Sequence, residues 1–201
     1  MIAVLDYGIG NLRSAEKALQ HVGGDAVLTS DAAVASAAAG VVLPGVGAFG
    51  RCMEALVASG LDRVVMSAAE RGVPLLGICV GMQMLYEGSE ENPGVAGLGI
   101  LPGKLHLLPE GVRRPQMQWN RLDRRGDAPL LDGLGAEPWV YFVHSFAAEM
   151  SPQVVATCDY GGPVVAAIAD GPLWATQFHP EKSGPTGLRL LANFAARCRA
   201  A

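Results

Sequence analysis

The chain has 201 residues, a length that suits one domain spanning residues 1–201. Hydrophobic residues make up 50% of it and the mean hydropathy is +0.28, which supports a buried core and argues against disorder. Lysine and arginine total 15 against 19 acidic residues, and the resulting net charge of −4 gives no polyanion-binding surface and speaks against a nucleic-acid partner.

The predicted elements begin with a buried strand at residues 2–5, and Asp6 follows at once. With no basic n-region and no long apolar run, this start does not read as a secretory leader. No apolar stretch reaches the ~18–20 residues of a membrane span, so a cytoplasmic protein without membrane contact is expected. Residues 11–21 have helical spacing at Leu12, Ala15, Ala18 and Leu19. Strands are predicted at 26–28 and 41–43, the second ending in the turn Pro44-Gly45-Val46-Gly47. Helices are predicted at 53–58 and 64–70, then a wholly apolar strand at 73–78 and a helix at 80–86. Wholly apolar strands, each followed by a helix, indicate a parallel sheet covered on both faces. From about residue 92 to 175 glycine and proline are frequent, and short strands predominate at 103–108, 116–119, 139–143, 154–157, 164–169 and 173–177. These are expected to add antiparallel or mixed strands to the same sheet. A helix over 187–199 carries Leu188, Leu191, Ala192, Phe194 and Ala195 on one face and should pack back against the sheet. The fold class is α/β.

The four cysteines, Cys52, Cys79, Cys158 and Cys198, are widely spaced with no CxxC pair, so free thiols are expected. Only Cys79 has a setting that suggests chemistry. In Gly77-Ile78-Cys79-Val80-Gly81 it stands between an apolar strand and a helix, with a glycine two positions away on each side. A strand-to-helix turn of this kind pushes the central side chain out at the sheet edge, and the glycines leave room for the backbone. The helix N-terminus adds positive potential and free N–H groups suited to an anion. In isolation the pentapeptide also fits a buried structural cysteine at a strand end.

A thiol nucleophile needs a base, and the base needs a group that orients its ring. Of the four histidines, His21 and His106 read as structural or exposed. His179, in Gln177-Phe178-His179-Pro180-Glu181, follows an apolar run and falls at a strand end, where ligand sites of open α/β sheets gather. Pro180 biases His179 toward an extended conformation, in which residues i and i+2 point to one side. Glu181 can then accept a hydrogen bond from one ring nitrogen while the other faces Cys79. A surface His-Pro-Glu turn is the bland alternative, and the Cys79 turn weighs against it. The N–H groups of Val80, just after the nucleophile, and of Val46, in the glycine turn, are candidate oxyanion donors. Gln83, one turn into the new helix, can reach polar groups of a substrate. No cluster has metal-ligand spacing, and Gly8-Ile9-Gly10 lacks the rest of a dinucleotide fingerprint, so neither metal nor cofactor is expected.

Taken together, the Cys79 turn with Gln83 and the His179 segment resemble the triad-type, class I glutamine amidotransferases. Four segments narrow the resemblance to the glutaminase subunits of imidazole glycerol phosphate synthases, from histidine biosynthesis. They are Asp6-Tyr7-Gly8-Ile9-Gly10-Asn11-Leu12-Arg13-Ser14, Leu43-Pro44-Gly45-Val46-Gly47-Ala48-Phe49, Tyr141-Phe142-Val143-His144-Ser145-Phe146 and residues 177–184 (QFHPEKSG). The matching stretches run from residue 6 to about 194. The resemblance implies a three-layer fold with a central mixed, mainly parallel sheet flanked by helices. It implies Cys79 as nucleophile, His179 as base and Glu181 as orienting carboxylate in the hydrolysis of glutamine to glutamate and ammonia. Residues 45–47 are similar to an oxyanion loop held inactive until a synthase partner binds ligand. Gly47, Gln83, His144 and Ser145 fall where the family contacts glutamine. The implied partner is a TIM-barrel cyclase, forming a heterodimer through which ammonia passes to a phosphoribulosyl formimino intermediate. A glutaminase feeding another synthase would share the triad, but the 6–14 and His144-Ser145 segments argue against it. A flavodoxin-like cysteine hydrolase would share the strand–Cys–helix turn, without a reason for Glu181 and Gln83. This chain departs from the usual Pro-His-Met-Gly-Trp-Asn of the family, with Pro115-Gln116-Met117-Gln118-Trp119-Asn120. Phe146 stands where tyrosine is common and Val80 where leucine is common. The Trp119-Asn120 segment resembles one that faces the cyclase, so the glutamines bear on the interface more than on the chemistry.

Overall fold

In a computed structural model that describes residues 1–200, the first half of the chain alternates strands and helices. In order these are β1 (Ile2–Leu5), α1 (Leu12–His21), β2 (Ala26–Thr29), α2 (Ala32–Ser36), β3 (Gly40–Gly45), α3 (Phe49–Ser59), α4 (Asp62–Glu70), β4 (Leu75–Cys79) and α5 (Val80–Gln83). Every residue of β1, β3 and β4 is buried, which is why these segments read as unbroken apolar runs. The second half supplies β5 (Gly88–Ser89), β6 (Lys104–Leu107), β7 (Gln116–Arg121), β8 (Asp123–Arg124), β9 (Trp139–His144), β10 (Phe146–Ala148), β11 (Val154–Asp159), β12 (Pro163–Asp170) and β13 (Leu173–Thr176). Two 3-10 turns, Pro129–Leu131 and Pro180–Lys182, and the long helix α6 (Gly184–Ala200) complete it.

The central sheet has eight strands in the order β2-β1-β3-β4-β13-β12-β11-β8. It is parallel from β2 to β13 and antiparallel beyond. The helices form two groups, α1 with α6 and α4 with α2 and α3, so the sheet is mixed, mainly parallel and flanked by helices. The first group is anchored where Trp174 of β13 meets Phe194 of α6 edge to face, centroids 6.0 Å apart. Among the described residues no helix is long and apolar enough to cross a membrane.

The structure corrects several expectations. The helix expected over 80–86 stops at Gln83. The carbonyls that would carry it further are taken by a returning segment: Leu98 N–H bonds Met84, Leu101 N–H bonds Leu85, and Gly99 N–H bonds Tyr86. Pro44 and Gly45 belong to β3 rather than to the turn after it. The strands expected at 103–108, 116–119 and 139–143 do not join the central sheet. β6 lies between β10 and β5 in a three-stranded sheet, and β7 pairs only with β9. On β7 the apolar side chains of Met117 and Trp119 share one face and stay exposed rather than packing under a helix. The helix α2 has no counterpart in the sequence pattern; its N-terminus is fixed by Asp31, whose carboxylate accepts the N–H groups of Ala33 and Val34.

Strand register brings three loop-bearing ends together. Gly45 of β3 lies opposite Cys79 of β4, and Thr176 of β13 lies opposite Ile78. The carboxyl ends of three adjacent parallel strands therefore deliver Val46, Cys79 and the segment after Thr176 to one edge.

Candidate active site

Cys79 ends β4 with φ +56° and ψ −114°, and among the described residues it alone has positive φ without being glycine. A side chain held in that region costs roughly 1–3 kcal/mol and persists because its surroundings dictate it. The glycines of the pentapeptide are those surroundings. A Cβ on Gly81 would lie 1.8 Å from the Leu43 carbonyl oxygen, and one on Gly77 would lie 2.9 Å from the backbone of Met82. Gly45 is just as confined, since its Cβ would lie 2.7 Å from the Gly81 nitrogen. The turn is thus wedged against β3, and the thiol is turned out at the sheet edge. Cys79 Sγ lies 3.9 Å from the Val143 carbonyl and 3.8 Å from Gln177 Nε2.

His179 follows β13 in extended conformation, φ −97° and ψ 98°, as the proline after it predicts. The chain then turns at Pro180 into a 3-10 turn instead of staying extended, yet His179 and Glu181 still meet. The His179 Nδ1–H donates to Glu181 Oε1 at 2.8 Å, with both side chains 2% exposed. Three bonds hold the histidine backbone. Its N–H donates to the Tyr141 carbonyl at 3.1 Å, and its carbonyl accepts from Ser183 Oγ at 2.6 Å and from the Lys182 N–H at 3.0 Å. Gly187 lets α6 come in close behind, where a Cβ would lie 1.9 Å from the Pro180 carbonyl oxygen. Burial works against charge on the His179 ring, but Cys79 and Glu181 outweigh it and lift the pKa to about 10. Its Nε2 makes no hydrogen bond within the chain.

Cys79, His179, Val46, Gly47, Val80, Gln83, His144 and Ser145 all line one cleft of about 570 Å³. Glu181 stands behind the wall, reaching the cleft through His179. Two buried donors tie down the loop that carries Val46. Tyr7 Oη–H donates to the Pro44 carbonyl at 2.6 Å, and Cys52 Sγ–H to the Val46 carbonyl at 3.2 Å. Burial pushes the pKa of both donors up, so both keep their protons. Gly47 takes φ +89°, a left-handed conformation that glycine accepts without strain. Gln83 is not a solvated helix position. It is buried, and its Nε2 donates to the Phe146 carbonyl at 3.1 Å and to Gln177 Oε1 at 3.0 Å, leaving its Oε1 for a ligand. Both ring nitrogens of His144 are engaged inside the protein, with the Phe146 carbonyl at 2.9 Å and Gln116 at 3.0 Å. His144 therefore offers the cleft its ring edge and backbone only.

Several residues of the site were not singled out by the sequence. Asn11 Nδ2–H reaches Glu181 Oε1 at 3.5 Å, giving the carboxylate a second donor. Glu91 lines the cleft and accepts the Phe49 N–H at 2.8 Å, so it caps α3 just after the glycine loop. Asn92 does the same for the Gly50 N–H at 2.8 Å. Gln177 is fully buried between Gln83 and Cys79. Asn11 and Gln177 lie inside segments that stood out in the sequence, but nothing in the local pattern marked their side chains; Glu91 belongs to a loop without any motif.

The chain is similar to known proteins over almost its whole length. Residues 3–198 match the family described as Glutamine amidotransferase class-I. The chain is 50% identical over 197 residues to a protein of Deinococcus radiodurans named imidazole glycerol phosphate synthase subunit HisH, covering 96% of this chain and 92% of that one. It is 48% identical over 201 residues to a protein of the same name from Methanothermobacter thermautotrophicus, covering 100% of each. Among solved structures it is similar to one described as glutamine amidotransferase, with TM-score 0.76 and 22% identity over 97% of this chain and 98% of that one. The structure of PurLQS from Thermotoga maritima gives TM-score 0.70 at 18% identity, covering 97% of this chain and 96% of that one.

Proposed function

The chain belongs to the class-I glutamine amidotransferases, among the glutaminase subunits of imidazole glycerol phosphate synthase, and we propose that Cys79, His179 and Glu181 are its catalytic triad. It hydrolyses glutamine to glutamate and ammonia. The observation that carries the assignment of residues is the strained Cys79 at the mouth of a cleft it shares with the buried His179–Glu181 pair.

The Cys79 thiolate attacks the side-chain carboxamide carbon of glutamine. The N–H groups of Val46 and Val80 hold the oxyanion that forms. His179 gives its Nε2 proton to the departing nitrogen, so ammonia leaves and a thioester remains on Cys79. The now neutral His179 takes a proton from water, whose oxygen attacks the thioester carbon. Glutamate leaves, and the thiolate–imidazolium pair is restored. Glu181 keeps the ring in the orientation that presents Nε2 throughout. Gly47, Gln83 and Ser145 contact the bound glutamine, with His144 as part of the wall. No metal or cofactor enters these steps.

The ammonia serves a partner subunit of the synthase. We take that partner to be a TIM-barrel cyclase in a heterodimer, which uses the ammonia to form imidazole glycerol phosphate and an aminoimidazole carboxamide ribotide. The surface around the cleft supports a docked partner. On the β7–β9 ladder, Met117, Trp119 and Trp139 are 61%, 48% and 50% exposed, and Val143 beside Cys79 belongs to the same ladder. All four cysteines are free, which fits a cytoplasmic enzyme.

The test is glutamate release with and without a cyclase barrel and its nucleotide ligand. The chain alone should be nearly inactive and gain activity with the loaded barrel, and Cys79→Ala or Cys79→Ser should abolish release. Unchanged turnover in either variant would sink the triad, and full activity of the isolated chain would sink control by the partner.

A further inference from the structure

A run of buried polar side chains extends from the cleft to β7. Gln116, the first residue of β7, is fully buried, with its Oε1 placed 3.0 Å from His144 Nε2 and its Nε2 3.6 Å from Cys158 Sγ. His144 Nδ1 lies 2.9 Å from the Phe146 carbonyl, which also accepts from Gln83 Nε2 at 3.1 Å. Gln83 Nε2 donates in turn to Gln177 Oε1 at 3.0 Å, and Gln177 Nε2 lies 3.8 Å from Cys79 Sγ.

Which atoms carry protons follows from which groups can donate. A peptide carbonyl only accepts, so the proton facing Phe146 must sit on His144 Nδ1. Burial discharges this ring and brings its pKa down to about 4. No carboxylate lies against it to hold a second proton. Its Nε2 is then bare and needs a donor at 3.0 Å. Gln116 meets that need once its side-chain amide is flipped, which exchanges its oxygen and nitrogen: the NH2 then takes the position 3.0 Å from His144 Nε2, and the carbonyl oxygen the position 3.6 Å from the Cys158 thiol, which supplies the S–H. The reverse orientation would set two acceptors face to face at the ring.

We infer that Gln116 is a positioning residue: its amide N–H pairs the bare Nε2 of the Nδ1–H tautomer that the Phe146 carbonyl demands, and His144 thereby holds that carbonyl where Gln83 is anchored. Gln116 is not part of the cleft wall, whereas His144 and Gln83 are, so it acts on glutamine only through them. The functional half of this inference rests on the glutaminase reading. The tautomer does not. Without the donor, the bare Nε2 is left buried and unpaired, and the ring is free to turn away from the Phe146 carbonyl toward another partner. Gln83 then loses the fixed point that aims its Oε1 at the substrate.

The experiment has two readouts. In the full-length wild-type chain labelled with 15N, two-bond proton–nitrogen correlations at pH 7 should show His144 with Nδ1 protonated and Nε2 bare. An Nε2–H tautomer or an imidazolium overturns the inference. Gln116→Met keeps the volume and removes the donor. In complex with the synthase partner, this variant should raise KM for glutamine about 10-fold, the loss of one well-placed hydrogen bond, while kcat stays within about 3-fold. Its His144 Nε2 signal should move as that nitrogen loses its hydrogen bond. If KM and the His144 signals both stay put, or kcat and thermal stability fall while KM is unchanged, Gln116 is not a positioning residue. If the wild-type complex releases no glutamate at all, the glutaminase reading fails, and the wild-type tautomer still decides the role of Gln116.

Discussion

Replacing Glu181 with glutamine keeps the size of the side chain and removes its charge. The carboxylate is 2% exposed and accepts the His179 Nδ1–H at 2.8 Å and the Asn11 Nδ2–H at 3.5 Å through one oxygen, Oε1. A glutamine would keep its own oxygen at that point, because two donors converge there. Its NH2 then falls where Oε2 lies, a buried position with no hydrogen-bond partner. An unpaired donor there costs about 1–3 kcal/mol, and the bond to His179 drops from charge-assisted to neutral strength, roughly half. His179 should respond most. Burial opposes its charge, and Glu181 is one of the two groups that lift its pKa to about 10. Without that charge the pKa should fall by roughly 1–2 pH units, or about 1–3 kcal/mol. The sign for stability follows from linkage. A histidine whose folded pKa is raised above 6.5 contributes stability that is whole below pH 6.5 and is lost as pH rises toward about 10. The variant should therefore lose less stability than the wild type between those limits, by the same roughly 1–3 kcal/mol. Chemical denaturation at pH 6.5 and pH 9.5 measures the difference, and it cancels other groups common to both proteins. Glutamate release by the complex should fall about 100-fold, the low end for a lost general acid. His179 titrating at the same pH in both proteins, or pH profiles of stability that superimpose, would refute the reasoning.

Three further substitutions test the scaffold, the partner surface and the loop. Gly81→Ala places a methyl 1.8 Å from the Leu43 carbonyl oxygen, with backbone on both sides. It should destabilise by about 3 kcal/mol and, through a shift of roughly 1 Å at Cys79, cost the folded fraction about 100-fold in glutamate release. Trp119→Ala removes a ring that is 48% exposed and touches its own chain edge-on at Tyr141. Its melting temperature should barely change, while calorimetry against the barrel should show affinity weakened by about 2 kcal/mol, or roughly 30-fold. Glu91→Ala uncaps the Phe49 N–H at the start of α3 and should cost about 1 kcal/mol in chemical denaturation.

The sequence made the parallel half of the sheet readable because β1, β3 and β4 are buried on both faces and have no polar residue to hide them. The turn at Cys79 was readable for a different reason. Gly77 and Gly81 are there because backbone atoms of Met82 and Leu43 occupy the space a side chain would need. The pairing of His179 with Glu181 was local and so within reach, although the reason differed: a 3-10 turn, not continued extension, brings them together. What stayed hidden depends on distant parts of the chain. The end of α5 is decided by amides of Leu98, Gly99 and Leu101, and β7 finds its partner in β9, far along the chain, with Met117 and Trp119 left exposed. Asn11 and Glu91 enter the site from loops whose local patterns carry no trace of Glu181 or of the α3 N-terminus.

Several features that a folded protein normally avoids meet at this site. Buried polar atoms are almost always paired, yet His179 Nε2 and Glu181 Oε2 are buried and unpaired. Positive φ at a residue with a side chain is uncommon, yet Cys79 has it. Each would weaken the fold, and nothing in their packing requires Nε2 to go without a partner. In the proposed mechanism the partner it lacks is supplied by the reaction: first the departing nitrogen of glutamine, then water. Glu181 on the far side of the ring would keep Nε2 in one fixed direction through both steps. The rigid elements around it explain why that arrangement survives, since β4 cannot relax past Leu43 and the His179 backbone is bonded to Tyr141 and Ser183. Relief of either constraint would be expected to stabilise the chain and slow the chemistry together, the opposite of what a purely structural histidine and cysteine would show.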